Sequence, residues 1–372
     1  MYKRQHLWSH AFTFASSERR ELQDALIDIM LRSLKPGVPV LAVAPASAPS
    51  ISPQAQSLID QARGLNVTQV PDNLTYAETL AQRATELEPE HADAWFVLAM
   101  VRYSRRSAFT NVATHEGAGS ATYALQRALA LDPDNAQAIS LSAYLLITES
   151  LQWNEALQRA QRAVSLAPNH AGVNGRLAFI QLCFGQFAAS VQTYAHVFSL
   201  DPLAPPARYH YALALAAAGR TVDALHCIEE GRKLLGDSPL LQETLCSILE
   251  MSGDIDAAAS VAQKALLQYP ASISIMMHAA YALAAQGALD EARLLCDRYS
   301  VAPTATPAPQ HYVRMYVESG GSDADAFFLH AMAVASNHEP QVMFLPSLPI
   351  FKKYHHDARW QVLLEKLKFP GL

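Results

Sequence analysis

The chain has 372 residues, with 28 Lys and Arg against 34 Asp and Glu and a formal net charge of −6, so it lacks the basic excess of a nucleic-acid-binding surface. Hydrophobic residues make up 51%, swollen by alanine, which is a helix-forming composition; no apolar run reaches the ~20 residues that span a bilayer. At this length either several domains or one elongated repeat array is expected.

From the N-terminus, "MYKRQHLWSHAF" lacks the apolar core and cleavage site of a signal peptide. Within it "HLWSHAF" reads as a short strand. The stretch "SSERRELQDALIDIMLRSLK" reads as a helix with serine at its cap and Leu22, Ala25, Leu26 and Ile29 on one face. His6 and His10 have the spacing of two ligands on a helix, but on a strand they stand too far apart and no third ligand joins them, so no metal is assigned. The segment "KPGVPVLAVAPASAPSISPQ" is rich in Pro, Ala and Ser and predicts an extended linker over 35–54.

Beyond the linker, "ATELEPEHADA", "ALALDPDNAQA", "AVSLAPNHAGV" and "VFSLDPLAPPA" share one outline, and "ALLQYPASISI" is a weaker copy. Pro89, Pro133, Pro168, Pro202, Pro239 and Pro270 follow at spacings of 44, 35, 34, 37 and 31 residues, a period of about 34. Twelve residues before most of these prolines stands a small residue (Ala77, Ala121, Ala156, Ser190, Ala258), and five before stands another (Ala84, Ala128, Ala163, Val197, Ala265). Small residues there let two helices approach closely. Trp95, Leu98 and Ala99 give the facing stripe of a first helix, repeated at Leu177 and Ala178, Tyr211 and Ala212, and Ala279 and Ala280. Gly185, Gly219, Gly253 and Gly287 mark the turns, so the unit is helix, turn, helix, loop. Each proline is expected in the first turn of the next helix, where its missing amide costs nothing. The 44-residue unit carries extra residues around "SAFTNVATHEGAGS", read as a longer loop between helices; the 37-residue unit adds three near "GRKLLGDSP".

These residues resemble the tetratricopeptide repeat family, whose pattern runs W-x2-L-[GA]-x2-Y, A-x3-[FL]-x2-A, then P. The resemblance covers about residues 74–304, six to seven units. It implies an all-α solenoid of antiparallel helix pairs, with a peptide groove lined by the first helices. The repeat register turns Phe96, Met100, Tyr103, Tyr144, Phe179, Tyr209, Met277 and Tyr281 toward that groove, with Arg102, Arg106 and Arg176 as charge partners. The Lys and Asn pattern that clamps a C-terminal carboxylate in chaperone-binding members is absent. Two outcomes are open for the aromatics: exposed anchors, in which case Tyr144 and Phe179 can be cut to alanine at little cost in stability, or core covered by the C-terminal helices.

After the repeats, "APTATPAP" gives a break, then "QHYVRMYVESG" and "SDADAFFLHAMAVASN" read as a further helical pair. The tail "YHHDARWQVLLEKLKFPGL" puts Trp360, Leu363, Leu364 and Leu367 on one face of a capping helix. His355, His356 and Asp357 are read as part of a solvated basic face with Lys352, Lys353 and Arg359, and His91 and His170 as features of the repeat junctions. Cys183, Cys227, Cys246 and Cys296 stand singly in apolar stretches and read as core thiols of a reducing compartment. No nucleophile elbow, P-loop, HExxH or dinucleotide fingerprint occurs, so no catalytic residue and no cofactor is assigned.

The strand-helix pair and the tail are similar to parts of bacterial signalling proteins, in which an α/β domain with winged-helix or adenylate-cyclase partners precedes tetratricopeptide repeats. The expected organisation is therefore 1–34 as the end of a small α/β domain, 35–54 linker, 55–304 solenoid and 305–372 helical cap, with an output domain upstream of residue 1. The expected function is a cytoplasmic, non-catalytic interaction and sensory region of a signalling or transcription regulator that binds a protein or peptide. The alternative is a stand-alone assembly scaffold or cell-envelope adaptor.

Overall fold

The computed structural model describes residues 51–370, apart from 68–69, 109–119, 202–204, 301–309 and 338–341. The strand and helix expected over 1–34, with His6 and His10, lie outside the described residues, as does most of the linker. Among the described residues every regular element is helical.

In the described residues sixteen α-helices form eight consecutive hairpins: α1 (Pro53–Val67) with α2 (Pro71–Leu87), α3 (Ala92–Ala108) with α4 (Ala121–Leu131), α5 (Ala136–Ser150) with α6 (Trp153–Leu166), and α7 (Ala171–Cys183) with α8 (Phe187–Leu200). The second four are α9 (Pro205–Ala217) with α10 (Thr221–Leu235), α11 (Pro239–Ser252) with α12 (Ile255–Gln268), α13 (Ile273–Ala285) with α14 (Leu289–Ser300), and α15 (Gln310–Gly320) with α16 (Ala324–Asn337). First helices also pack on first helices, as α5 on α7, α9 on α11 and α13 on α15, whereas second helices make no comparable contact with one another. The first helices therefore form the inner layer of a solenoid.

The local chemistry follows the repeat. Gly185, Gly219, Gly253 and Gly287 take φ between +73° and +89° at the turns, a region that costs any residue with a Cβ. Asn135, His170 and Ser272 cap the next first helix; Asn135 Oδ1 accepts from the Ala138 amide at 3.0 Å and His170 Nδ1 from the Val173 amide at 3.3 Å. His170 is thus part of a junction. Pro89, Pro133, Pro168 and Pro270 stand in the turn three residues ahead of the helix, not inside its first turn; Pro239 alone of those described occupies the first helical position, behind the Ser238 cap. The small residues Ala77, Ala84, Ala128, Ala156, Ala163, Ser190, Ala258 and Ala265 are buried between paired helices, while Ala121 is only half-buried because α4 begins there.

The chain then turns back. After α16 come two 3-10 turns, Val342–Phe344 and Pro349–Tyr354, and a last helix α17 (Ala358–Lys366). The first turn lies against α5 and the second against α11. Ser347 Oγ reaches the Leu182 carbonyl at 3.4 Å, and the Trp153 indole donates to the Leu367 carbonyl at 2.8 Å. Phe351 packs on Tyr316 and Phe327, Tyr354 stacks on Phe327 at 3.7 Å, and Phe369 meets Trp153 edge-on at 4.7 Å. The stripe of Trp360, Leu363, Leu364 and Leu367 is buried as its spacing requires. This segment belongs to the same apolar core as Phe179, Met277 and Tyr281 on the first helices, so it covers the inner layer as well as following it.

His355 stacks on Trp360 at 4.4 Å, Asp357 caps α17, Arg359 pairs with Asp357 and Asp325, and Lys353 donates to the Gly321 carbonyl. His355, Asp357 and Arg359 are thus fastened to the fold, while Lys352, Lys353 and His356 stay exposed, as a solvated face requires.

Candidate functional site

A row of aromatic rings crosses the inner layer from one first helix to the next. Tyr103 of α3 meets Tyr144 of α5 edge-on at 5.3 Å, Tyr144 lies 4.8 Å from Phe179 of α7, and Phe179 lies 4.9 Å from the His210 ring of α9. The spacing arises because one inward position recurs at each repeat. Phe344 from the returning segment packs on Phe179 at 5.6 Å and closes the row at that end.

Of the eight residues expected in the groove, Met100, Tyr103 and Tyr144 keep partial exposure. Phe96, Phe179, Tyr209, Met277 and Tyr281 are buried and do not line an open groove. Each has a local reason. Arg63 lies over the Phe96 ring, Phe344 covers Phe179, and the Tyr209 hydroxyl approaches Ser238 Oγ at 3.4 Å. Met277 and Tyr281 lie in the core shared by α13, α15 and the returning segment.

The arginines separate in the same way. Arg102 donates to Glu78 of α2 at 3.0 Å, and Arg105 pairs with the same carboxylate, so Arg102 is not a groove cation. The Arg106 side chain lies outside the described residues. Arg176 alone of the three stands beside the open rings, with Nη1 donating to Ser140 Oγ at 3.0 Å. Burial pulls its pKa down, with Tyr144 and Tyr103 opposing. Burial, and then the Arg176 and Arg63 cations, lower His170. Burial raises Tyr144 well above the usual phenol value and pushes His210 down to about 4.

A second cluster was not expected from the sequence. Glu250 of α11 accepts from Tyr316 of α15 at 2.5 Å, and its two oxygens lie 2.9 and 3.0 Å from Nδ1 of His278 on α13. His278 is 1% exposed and Glu250 4%. Burial alone would depress the imidazole, but Glu250 beside it, its hydrogen bond, and Glu243 hold the pKa above the usual value. Ser247 Oγ lies 3.5 Å from His278 Nε2, giving the order serine, histidine, carboxylate. Ser247 lies within α11, however, where helix hydrogen bonds consume the neighbouring amides that an oxyanion would need. What the arrangement does is tie three first helices together through one carboxylate. Its sequence signal was a charged or titratable residue set inside the apolar runs "TLCSILEM" and "SIMMHAAYA".

A sequence profile of the tetratricopeptide repeat family matches residues 250–307, the stretch holding α12 to α14. No curated protein matches the chain. Among solved structures, pilF of Pseudomonas aeruginosa is similar at 21% identity and TM-score 0.41, covering 60% of this chain and 95% of its own. PilW, described as a widely conserved type IV pilus biogenesis factor, aligns at 17% identity and TM-score 0.45 over 60% of this chain and 94% of its own. A tetratricopeptide repeat protein from Parabacteroides merdae aligns at 13% identity and TM-score 0.43, over 86% and 99%. The helix pairing described above, with its inward first helices, is that of an all-helical, tetratricopeptide-like solenoid.

Proposed function

We propose that this chain is a protein-interaction module that holds a segment of a partner against Met100, Tyr103 and Tyr144 at the open end of its inner layer, and that it performs no catalysis there. The observation that carries the reading is the half-closed aromatic row: the chain's own C-terminal segment covers Phe179, while Tyr103 and Tyr144 keep part of their surface exposed. Partly exposed aromatics in a shaped layer are the surface groups that partners use. In the finer reading the module is the sensory region of a bacterial signalling or transcription regulator, supported by the resemblance of residues 1–34 and of the tail to such proteins. The same surface would serve a scaffold or cell-envelope adaptor. The four buried cysteines, none of them in a disulfide, support a cytoplasmic setting.

A photo-cross-linking residue at Met100 of the full chain is expected to capture a discrete protein in producing cells, and one at the exposed Leu267 of α12 to capture none. Replacing Tyr103 and Tyr144 together by alanine should weaken the complex by about 1–3 kcal/mol. Equal capture at both positions, or affinity unchanged in the double variant, contradicts the reading.

A further inference from the structure

We propose that Arg176 anchors the carboxylate of an Asp or Glu side chain in an extended protein segment laid across α7 and the Tyr103–Tyr144 pair. This rests on the interaction reading above and names the chemistry of its partner.

The first observation is an unspent charge. Neighbouring arginines of the inner layer have carboxylates, as Arg63 has Asp93 and Arg102 has Glu78. Arg176 has the neutral Ser140 hydroxyl, which takes one of its five N–H donors. It is partly buried, it couples electrostatically to Tyr144, Tyr103 and His170, and burial lowers its pKa. A guanidinium held out of water without an anion is costly, and a bidentate carboxylate is the group whose geometry answers it.

The second observation is independent. Gly175 precedes Arg176 in the middle of α7, one turn before Phe179 on the same helical face. Glycine inside a helix costs about 0.5–1 kcal/mol relative to alanine. Here no internal packing asks for it, since a Cβ built on Gly175 would meet no atom within 4 Å. The bare backbone next to the unspent guanidinium gives an incoming main chain room to lie close to the helix. An acidic protein segment fits this better than a nucleic acid does. One guanidinium between tyrosines is no phosphate-tracking stripe, and the net charge is −6.

The test is a library of random peptides fused through their C-termini, so that no free terminal carboxylate is offered, selected on the full chain. Selected sequences are expected to share an Asp or Glu beside an apolar residue. A synthetic acetylated and amidated peptide of that sequence should bind at least tenfold more weakly to the Arg176→Gln and Gly175→Leu proteins, and equally weakly when its acid is changed to the amide. Both variants should keep the parent's helical circular dichroism; a Cβ at Gly175 meets no packed neighbour, so Gly175→Leu reports on binding even where Arg176→Gln loosens the fold. Selected peptides that lack an acid, or that bind Arg176→Gln as well as the parent, overturn the carboxylate anchor. A peptide of that sequence that binds only when a free C-terminal carboxylate replaces its amidated end overturns the side-chain assignment. In both cases sensitivity to Tyr103→Ala leaves the interaction reading standing. No selected peptide at all, or peptides indifferent to Tyr103→Ala, defeats both.

Discussion

Phe351→Ala is expected to lower the unfolding free energy by about 3–5 kcal/mol, the cost of emptying a phenylalanine site in a closed core. The ring is 0% exposed although it lies close to the end of the chain, between Tyr316 of α15 and Phe327 of α16. Urea unfolding of the full chain measures the loss. A segment that merely rested on the surface would show well under 1 kcal/mol. Phe179→Ala should cost a similar amount, because that ring is 3% exposed under Phe344; of the two outcomes open from the sequence, core is the one its burial supports. The returning segment is thus part of the fold and no displaceable strap, and a partner must use what it leaves uncovered.

Glu250→Ala carries the second large effect. The substitution leaves His278 and the Tyr316 hydroxyl buried without their shared acceptor, and breaking one side of a buried charged pair typically costs about 3–5 kcal/mol. The same cluster sets a pH dependence whose sign follows from its shifts. His278 is raised in the fold, so its stabilising share is complete below the unfolded value of about 6.5 and is lost as pH rises through the folded value. Glu243 is raised by burial, so its share is likewise complete below about 4.5 and falls as pH rises through its folded value. The share of these two groups should therefore decline with rising pH, whereas the lowered His170 and His210 contribute in the opposite sense as pH rises to about 6.5, so the cluster is read as the difference between parent and His278→Gln, which should narrow as pH rises above about 6.5. A stability difference between parent and His278→Gln that stays constant or grows from pH 6.5 to 8 contradicts the assignment.

The hairpins were legible because each repeat writes the same small residues, turn glycines and junction caps, and a hairpin has only its neighbours against which to bury its stripe. Tyr103, Tyr144, Phe179 and Arg176 were legible as inward residues for the same reason. What the repeat could not encode was which of them stay open. Phe344 and Phe351 come from beyond the repeats, and nothing in their spacing says that they return to cover Phe179 and Tyr316. Arg102 and Arg176 look alike in sequence, and only Glu78 on the adjacent helix separates them. Glu250 and His278 lie 28 residues apart on helices α11 and α13, so their pairing needs the stacked geometry to be seen.

On the proposed function, the inner layer divides into a half that the chain fills and a half that it leaves for a partner. Hydrogen exchange of the free full chain, followed by mass spectrometry, tests this division. The amides bonded within 342–369, such as Leu345, Phe351 and Leu367, are expected to exchange as slowly as those of α7. Exchange of that segment at the rate of an unstructured peptide, with α7 still protected, would mean the inner layer is open along its length and would contradict it.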